Sequence, residues 1–531
     1  MTANTDRPWW QHGVIYQIYP RSYQDSTGTG VGDLAGITSR LDHLQWLGVD
    51  CVWLSPIYPS PMEDGGYDVA DYTDVDPTFG TLTEVDALIA QAHARDLRVV
   101  LDLVPNHTSH RHPWFVESRS ARDAARRDWY IWRDPGPDGG PPSNWRSVSH
   151  EQPGSAWHLD EATGQYYLAT FSPVQPDLNW ANARVRAAIA DVMRFWLDRG
   201  VDGFRIDMAT FLAKDPEYCN EPLVTPGEPI NYVRDARHHF NRPETLEYLS
   251  ELRSVVDAYD DRVLVGEMLY ESPIEVLVEY ARDAGIDLPA NFGLITLPFD
   301  ADAIAEHVDV YDRATSDAGV WPNYCLSNHD MPRPSRLGPQ GARLAIMVLL
   351  TLRGTPFLYY GDEIGMANVE VPPDRADDPW SVSIGGVTRD SVRTPMQWDA
   401  GPNAGFCPAD VEPWLPLCAD RERVNVAVQR GDPSSSLQLT RRLLELRRRT
   451  PALTIGTYQS CTDMAPPGCL AFLRAHDDQR RLVLANISDE PCTVDLARHR
   501  GADLVLHTGA VVLDGATAHL GAWAAAVVAV A

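Results

Sequence analysis

ARVRAAIADVMRFWLDRGVDGFRID, residues 183–207, carries two different hydrophobic periods one after the other. Val185, Ile189, Val192 and Trp196 recur at helical spacing, and VDGFRID (201–207) then reads as a short buried strand. That strand ends in Arg205-Ile206-Asp207, so an apolar run delivers two charges at its C-terminal end.

The same unit recurs on both sides. VIYQIYP (14–20), VDCVWLSP (49–56), RVVLDLVP (98–105), RVLVGEM (262–268), PNYCLSNHD (322–330) and GTPFLYYGDE (354–363) read as further buried strands, and PANFGLI (289–295) as a weaker eighth. Between them, Ile37, Leu41, Leu44 and Leu47 share a helical face, as do Val85, Leu88, Ile89 and Ala92, with Thr81 and Glu84 spaced as a capping box. Near-continuous apolar strands alternating with helices predict a parallel sheet covered by helices. Eight strands close a (β/α)8 TIM barrel of the α/β class. An open doubly wound sheet is the alternative, but no Gly-rich nucleotide loop follows the first strand.

Two regions break the alternation. Residues 106–178 are rich in Pro, Gly, Trp and His and too long for an ordinary loop, which predicts a small inserted domain after the third strand. Residues 455–531 change to short alternating strands with Asp, Gly and Pro turns, predicting an appended antiparallel β-sandwich. The expected organisation is a barrel in two parts, 1–105 and 179–454, with the insert 106–178 between them and the β domain at 455–531.

The chain of 531 residues has 45 Lys plus Arg against 74 Asp plus Glu, a net charge of −29. With 44% hydrophobic and 22% charged residues it has ordinary globular composition. An acidic surface repels phosphate backbones, so no nucleic acid partner is expected. Lys214 is the single lysine, the N-terminal MTANTDRPWWQHG lacks the pattern of a signal peptide, and AWAAAVVAVA (522–531) is half a membrane span. A cytoplasmic protein without membrane contact, monomer or homodimer, is the expectation. The eight cysteines show no C-x-x-C pair, and Cys51 and Cys325 sit in apolar strands as small hydrophobes, consistent with reduced thiols.

Chemistry in such a barrel gathers at the C-terminal strand ends. Arg205 and Asp207 end the fourth strand, Glu267 the fifth, Asn328-His329-Asp330 the seventh; Asn106 and His107 follow Asp102 on the third, and Tyr67-Asp68 follows the second. Burying so many charges costs several kcal/mol per ion unless they are paired or used. Converging carboxylates without clustered His or Cys ligands point to glycoside hydrolysis, in which one carboxylate attacks the anomeric carbon and a second protonates the leaving oxygen. Metal-assisted hydrolysis is the competing class, but no H-x-x-x-H spacing accompanies the carboxylates.

DLVPNH (102–107), GFRID (203–207), VGE (265–267) and SNHD (327–330), in that order, resemble the α-amylase superfamily of barrel glycosidases. QPDLNW (175–180), RTPMQW (393–398), VIYQIYPRSY and GDLAGI (32–37) resemble its branch of α-glucosidases, oligo-1,6-glucosidases and sucrose isomerases. The resemblance implies a retaining double displacement. Asp207 would be the nucleophile, Glu267 the general acid/base, and Asp330 the carboxylate that stabilises the oxocarbenium-like state, with the first two about 5–5.5 Å apart. Arg205 would keep the nucleophile ionised. His107 and His329 would bond sugar hydroxyls, and Tyr67 and Phe171 would pack on the sugar face. Asp68 with an arginine of TRDSVRTPMQW (388–398) would grip the non-reducing end and make the enzyme exo-acting; Arg389 is the chosen arginine and Arg393 the structural one. Asp102 and Asn106 are read as loop supports, Trp53, Trp180 and Trp196 as core, and Phe292 as core or leaving-group wall.

Two departures from the branch stand out. Its calcium loop, D-x-N-x-D-x-x-x-D, is here Asp25, Thr27, Thr29, Val31 and Asp33, so two ligand positions are weakened or lost. No cofactor is expected to be required, and calcium to bind weakly or not at all. The residue after the nucleophile is Met208, where the branch carries valine with α-1,6 preference and threonine or alanine with α-1,4 or broader preference. A bulky thioether there favours α-1,4 linkages and small α-glucosides, maltose and sucrose among the latter, with some glucosyl transfer to acceptors. An oligo-1,6-glucosidase, a transferring or isomerising relative, and a non-catalytic binding relative are the alternatives.

Overall fold

The computed structural model describes residues 7–148, 154–222, 235–378, 389–499 and 501–531. The first six residues of the N-terminal stretch and Thr388 lie outside them. Strands β1 (Ile15–Ile18), β2 (Cys51–Leu54) and β3 (Arg98–Leu103) open the barrel. Strands β4 (Trp132–Arg133), β5 (Trp157–Asp160) and β6 (Gln165–Leu168) follow within 106–178 and form a separate antiparallel sheet in the order β4-β6-β5. Strands β7 (Gly203–Ile206), β8 (Val263–Gly266), β9 (Leu288–Pro289), β10 (Asn323–Cys325) and β11 (Thr355–Tyr359) complete the barrel. The eight barrel strands are all parallel, in the order β10-β11-β1-β2-β3-β7-β8-β9.

Period-2 alternation sorts their side chains. Ile15, Cys51, Trp53, Val100, Val263, Val265, Leu288, Cys325 and Phe357 share the cluster inside the barrel. Tyr16, Val52, Leu54, Val99, Leu101, Phe204, Ile206, Leu264 and Leu358 face the surrounding helices instead. Arg205, Asp207 and Glu267 have the inward parity of Val263 and Val265, so the backbone itself aims them at the barrel mouth.

The weak strand is shorter and earlier than expected. β9 ends at Pro289, because Asn291 Oδ1 accepts the Gly293 N–H at 2.8 Å and starts a short helix, Gly293–Thr296. The ladder does not join β9 to β10, and the Asn323 side chain closes that seam: its Nδ2 donates to the Pro289 carbonyl at 2.6 Å and its Oδ1 accepts the Asn291 N–H at 3.0 Å.

Two helix details also differ from expectation. The run through Ile37 and Leu47 is two helices, Leu34–Ser39 and Leu41–Leu47, broken at Arg40. The Thr81 hydroxyl bonds the Glu84 carboxylate at 3.0 Å and caps no backbone N–H of the helix Leu82–His93, so the pair is not a capping box.

Beyond the last barrel-side helices, Ser436–Arg449 and Pro451–Thr454, come β12 (Thr457–Ser460), β13 (Cys469–His476), β14 (Gln479–Asn486), β15 (Cys492–Asp495), β16 (Asp503–Thr508), β17 (Val511–Asp514), β18 (Thr517–Leu520) and β19 (Ala525–Ala529). They form a five-stranded sheet, β12-β13-β14-β19-β16, and a three-stranded one, β15-β18-β17. One face of the larger sheet, Leu470, Phe472, Val483 and Val527, packs into the barrel's main core. Its other face, Ala471, Leu473, Leu482, Leu484 and Val528, packs on Val494, Ala518 and Leu520 of the smaller sheet. Among the described residues no helix is long and apolar enough to cross a membrane.

Candidate active site

Asp207 and Glu267 stand one residue beyond β7 and β8. The Asp207 N–H bonds the Leu103 carbonyl and the Glu267 N–H bonds the Ile206 carbonyl, each at 2.8 Å, so both extend the barrel ladder and are held rigidly side by side. One guanidinium joins them: Arg205 Nη1 lies 2.7 Å from Asp207 Oδ1, and Nη2 lies 2.7 Å from Glu267 Oε2. Asp207 and Glu267 are also within hydrogen-bonding reach of each other, well inside the ~6.5–9.5 Å of inverting pairs.

Arg205 is itself fixed. Its Nη1 also meets Asp102 Oδ1 at 2.7 Å, and its guanidinium lies between the Trp53 and Tyr67 rings, 5.4 and 5.6 Å from their centroids. Asp102 Oδ2 accepts from Trp53 Nε1 at 2.9 Å and from the Tyr67 hydroxyl at 3.2 Å. Asp102 therefore supports the arginine from beneath, and Trp53 is a core residue with a polar task.

The electrostatics follow from two buried carboxyls sharing that cation. Burial pushes Asp207 well up, and the neighbouring Glu267 adds to it; burial also raises Glu267. Arg205 opposes both shifts. One cation cannot neutralise the two together with Asp102, so the Asp207–Glu267 pair keeps a proton.

Asp330 has the opposite environment. Arg393 Nη2 lies 2.8 Å from its Oδ1, Arg389 Nη1 3.5 Å from the same atom, and His329 Nε2 3.2 Å from Oδ2. Burial alone would raise its carboxyl, but His329, Arg389, Arg393 and Arg205 hold it well below the usual range. The Gln17 amide donates to His329 Nδ1 at 2.8 Å, which leaves the ring proton on Nε2, facing Asp330. Burial pushes His329 down to about 3, so the ring is neutral.

Asp207, Glu267, His329 and Asp330 line a cavity of about 270 Å³, together with Asp64, Tyr67, His107, Phe171, Met208 and Arg389. Tyr67 stacks on His329 with centroids 5.2 Å apart and planes at 10°, and Phe171 packs 5.1 Å from His107. His107 Nε2 lies 3.2 Å from both the Tyr67 carbonyl and Gln175 Nε2, and burial lowers its pKa. Asn106 accepts from Lys214 at 3.1 Å, a support as expected. Trp180 and Trp196 are fully buried core. Phe292 lies against Tyr270, 4.4 Å between centroids, and within the barrel-interior cluster rather than on the cavity wall.

The placement of Asp68 requires a correction. It does not line the cavity; its Oδ1 accepts from the Ser60 hydroxyl at 2.8 Å and the Asp64 N–H at 3.1 Å, and its Oδ2 from the Glu63 N–H at 3.1 Å. It ties down the loop 60–64 and is fully buried. The carboxylate in the cavity is Asp64, the first acid of the segment DGGYD rather than the last. Gly65 and Gly66, both at positive φ (58° and 105°), turn the chain so that Asp64 and Tyr67 reach the same side. Two acids flank one Gly-Gly-Tyr turn, and only the turn's geometry tells them apart. Arg389 completes the pair: Nη2 lies 2.7 Å from Asp64 Oδ1 and 2.5 Å from Asp378 Oδ1, with Gln175 Nε2 2.9 Å from Asp64 Oδ2. Arg393, in contrast, is buried under Asp330 and binds the His329 carbonyl at 2.8 Å. Sequence reasoning also missed Leu269, Tyr270, Met331 and Val148 on the cavity wall, residues with no charge or motif to mark them.

The Asp25–Asp33 loop closes on itself. Asp25 Oδ1 accepts the N–H groups of Thr27 and Gly28 at 2.9 and 2.7 Å, and Oδ2 that of Gly30 at 2.8 Å. Asp33 accepts the Ser26 and Gly36 N–H groups at 2.7 and 2.6 Å. Both carboxylates face N–H donors, a donor set that does not fit a cation. Among the described residues, the one His/Cys/Asp/Glu group compact enough for a metal is Asp215, Cys219 and His238, away from the cavity.

Comparison with known proteins agrees with this geometry. The model of the α-amylase catalytic domain matches residues 17–456, and that of the C-terminal immunoglobulin-like domain of D-apionate lactonase matches 466–528. The chain is 42% identical to a probable α-glucosidase of Rhizobium meliloti, over 93% of this chain and 92% of that one. It is 37% identical to the oligo-1,6-glucosidase of Parageobacillus thermoglucosidasius, over 93% of each. Among solved structures it superposes on the α-glucosyl transfer enzyme XgtA with a TM-score of 0.91 at 38% identity, covering 99% of this chain and 100% of that one. The trehalulose synthase MutB follows at 0.90 and 33%, with the same coverage. With a catalytic-domain match over most of its length and its carboxylates at the barrel mouth, the chain belongs to the α-amylase family of glycoside hydrolases.

Proposed function

We propose that the protein is a retaining exo-α-glucosidase that releases glucose from the non-reducing end of short α-glucosides, with α-1,4 linkages favoured and glucosyl transfer as a side reaction. The observation that carries this reading is the Asp207–Glu267 pair on one guanidinium, at a cavity whose inner end is closed by Asp64 and Arg389. A closed end admits one terminal sugar and excludes a chain running through.

Asp207 Oδ attacks the anomeric carbon while Glu267 gives its proton to the glycosidic oxygen, which leaves as an alcohol. A glucosyl ester on Asp207 remains. Glu267, now a carboxylate, takes a proton from the incoming water as its oxygen bonds the anomeric carbon, and the ester bond to Asp207 breaks. Asp330, kept ionised by its two arginines, stabilises the positive charge that develops on the ring in both steps. Tyr67 and Phe171 offer ring faces to the sugar's C–H groups, His107 and His329 bond its hydroxyls, and Asp64 with Arg389 holds the far hydroxyls.

The preference for α-1,4 linkages rests on Met208, which lines the cavity beside Asp207. Its backbone is left-handed, φ 43° and ψ 49°, and its N–H meets Glu267 Oε2 at 3.0 Å, so its side chain has a fixed place at the leaving-group side. Relatives named oligo-1,6-glucosidase and trehalose-6-phosphate hydrolase, and the trehalulose synthase neighbour, bring in the α-1,6-cleaving and isomerising alternatives. Time-resolved product analysis with maltose, isomaltose, sucrose and trehalose separates them. Glucose from maltose ahead of isomaltose, lost in Asp207→Asn, is the expected result; preferred isomaltose cleavage overturns the linkage reading, and a new disaccharide as main product favours the isomerising one.

A further inference from the structure

The cavity lining changes its chemistry with depth. Asp64, His107, Asp207, Glu267 and His329 are buried and, with the buried rings of Tyr67 and Phe171 and the Met268 side chain, make its inner part. Among the described residues, the half-buried lining nearer solvent is Val148, Met208, Leu269, Tyr270 and Met331, with Arg389 and Asp330, which pair with each other, as the polar exceptions. The Arg389 guanidinium is turned inward, onto Asp64, Asp378 and Asp330.

This outer wall is braced from behind. Val148, Met208 and Leu269 pack on a small cluster of Phe171, Phe211, Ala236 and Phe240. Tyr270 and Met331 pack on the barrel-interior cluster. It carries few polar atoms: the Met208 N–H bonds Glu267, and the Tyr270 hydroxyl accepts from Asn328 Nδ2 at 3.1 Å, keeping one O–H to donate.

A second sugar entering here would bring hydroxyls around its rim, each giving up water and finding few partners on these five residues. An aryl or alkyl group needs none, gains by burial, and suits the tyrosine ring and the two methionine sulphurs. We propose that the leaving-group and acceptor side takes an apolar alcohol, an aryl or alkyl hydroxyl compound, in preference to a second sugar. This deepens the retaining-glucosidase reading and rests on it. Maltose remains a substrate, but the better short glucosides are those whose second moiety is apolar. In transfer, the acceptor oxygen bonds the anomeric carbon, its proton passes to the Glu267 carboxylate, and the ester bond to Asp207 breaks, returning that carboxylate.

The test uses the full-length enzyme and α-glucosyl fluoride, whose leaving group makes no demand on the outer wall. In the first step the C1–F bond breaks, the departing fluoride takes the Glu267 proton, and C1 bonds Asp207. Benzyl alcohol and glucose then compete at equal concentration for the glucosyl ester, and the two transfer products are quantified in one sample. The expected ratio is roughly tenfold in favour of benzyl glucoside, equivalent to about 1.4 kcal/mol, and Leu269→Asn and Met331→Asn each lower it several-fold. Because the ratio is internal to one sample, it does not depend on how much of a variant folds. Fluoride release with disaccharide equal to or above benzyl glucoside overturns the apolar acceptor alone. No fluoride release by the folded wild type overturns the glucosidase reading and this inference with it.

Discussion

Arg389 places one nitrogen 2.7 Å from Asp64 and the other 3.5 Å from Asp330, so a single side chain links the closed end of the cavity to the carboxylate beside the reacting pair. Asp378 holds Arg389 from behind, and Asp390 holds Asp378 through its N–H at 2.9 Å. The inner end is therefore a preorganised polar cap, set before any sugar arrives.

Removing that cap should cost binding of the terminal sugar. Asp64→Ala is expected to lower kcat/KM by about 10- to 100-fold, the range of a lost charged hydrogen bond, mainly through KM. Asp68→Ala, despite its place in the same segment, should show its effect first in Tm, because it leaves the Glu63 and Asp64 N–H groups without acceptors. Steady-state kinetics and thermal unfolding of the two variants separate the roles; a larger KM effect in Asp68→Ala would reverse the assignment.

The pH profile should carry the mark of the coupled pair. Attack by Asp207 needs one proton gone, and donation by Glu267 needs one retained, so kcat/KM rises through the first apparent pKa and falls through the second. Burial raises both carboxyls, which puts the acid limb above the ordinary carboxylate value of about 4. Arg205 lowers both, so Arg205→Met should move the acid limb to higher pH and cut kcat/KM by about 100-fold or more. Asp330 is held too low to set that limb. An acid limb at or below pH ~4, unmoved in Arg205→Met, contradicts the coupling.

The barrel seam gives a stability prediction. Asn323→Ala leaves the buried Pro289 carbonyl and Asn291 N–H without their partner between β9 and β10. A cost of about 2–4 kcal/mol is expected from two stranded polar groups, read as a lower denaturation midpoint in urea. An unchanged midpoint would show that the seam is closed by packing instead.

Metal removal should do nothing at the Asp25–Asp33 loop. Dialysis against EDTA is expected to leave Tm and activity as they were. Asp25→Ala, by contrast, should lower Tm, since three backbone N–H groups lose their acceptor. A Tm that falls with EDTA and returns with calcium would reinstate the cation.

Much of this was legible in the residues, for definite reasons. The seven strong strands carry apolar runs that only a doubly covered parallel sheet can bury, and Arg205, Asp207 and Glu267 follow from inward parity at their ends. β9 was misplaced because two residues carry no period, and its closure depends on Asn323, a side chain 34 positions away. Sequence alone points to Asp68 in place of Asp64 because both flank the same Gly-Gly-Tyr turn, and the hydrogen bond of Asp68 to Ser60 is a matter of three-dimensional folding. Val148, Leu269 and Met331 are ordinary apolar residues in sequence; only their shared exposure at one cavity gives them a role.

The most direct test of the account is the anomeric form of the first glucose released from maltose, followed by proton NMR before mutarotation. Double displacement through Asp207 predicts that α-glucose appears first and β-glucose grows in only later. β-Glucose as the initial product would contradict it, because a single inverting displacement would then be at work and Asp207 could not be the nucleophile.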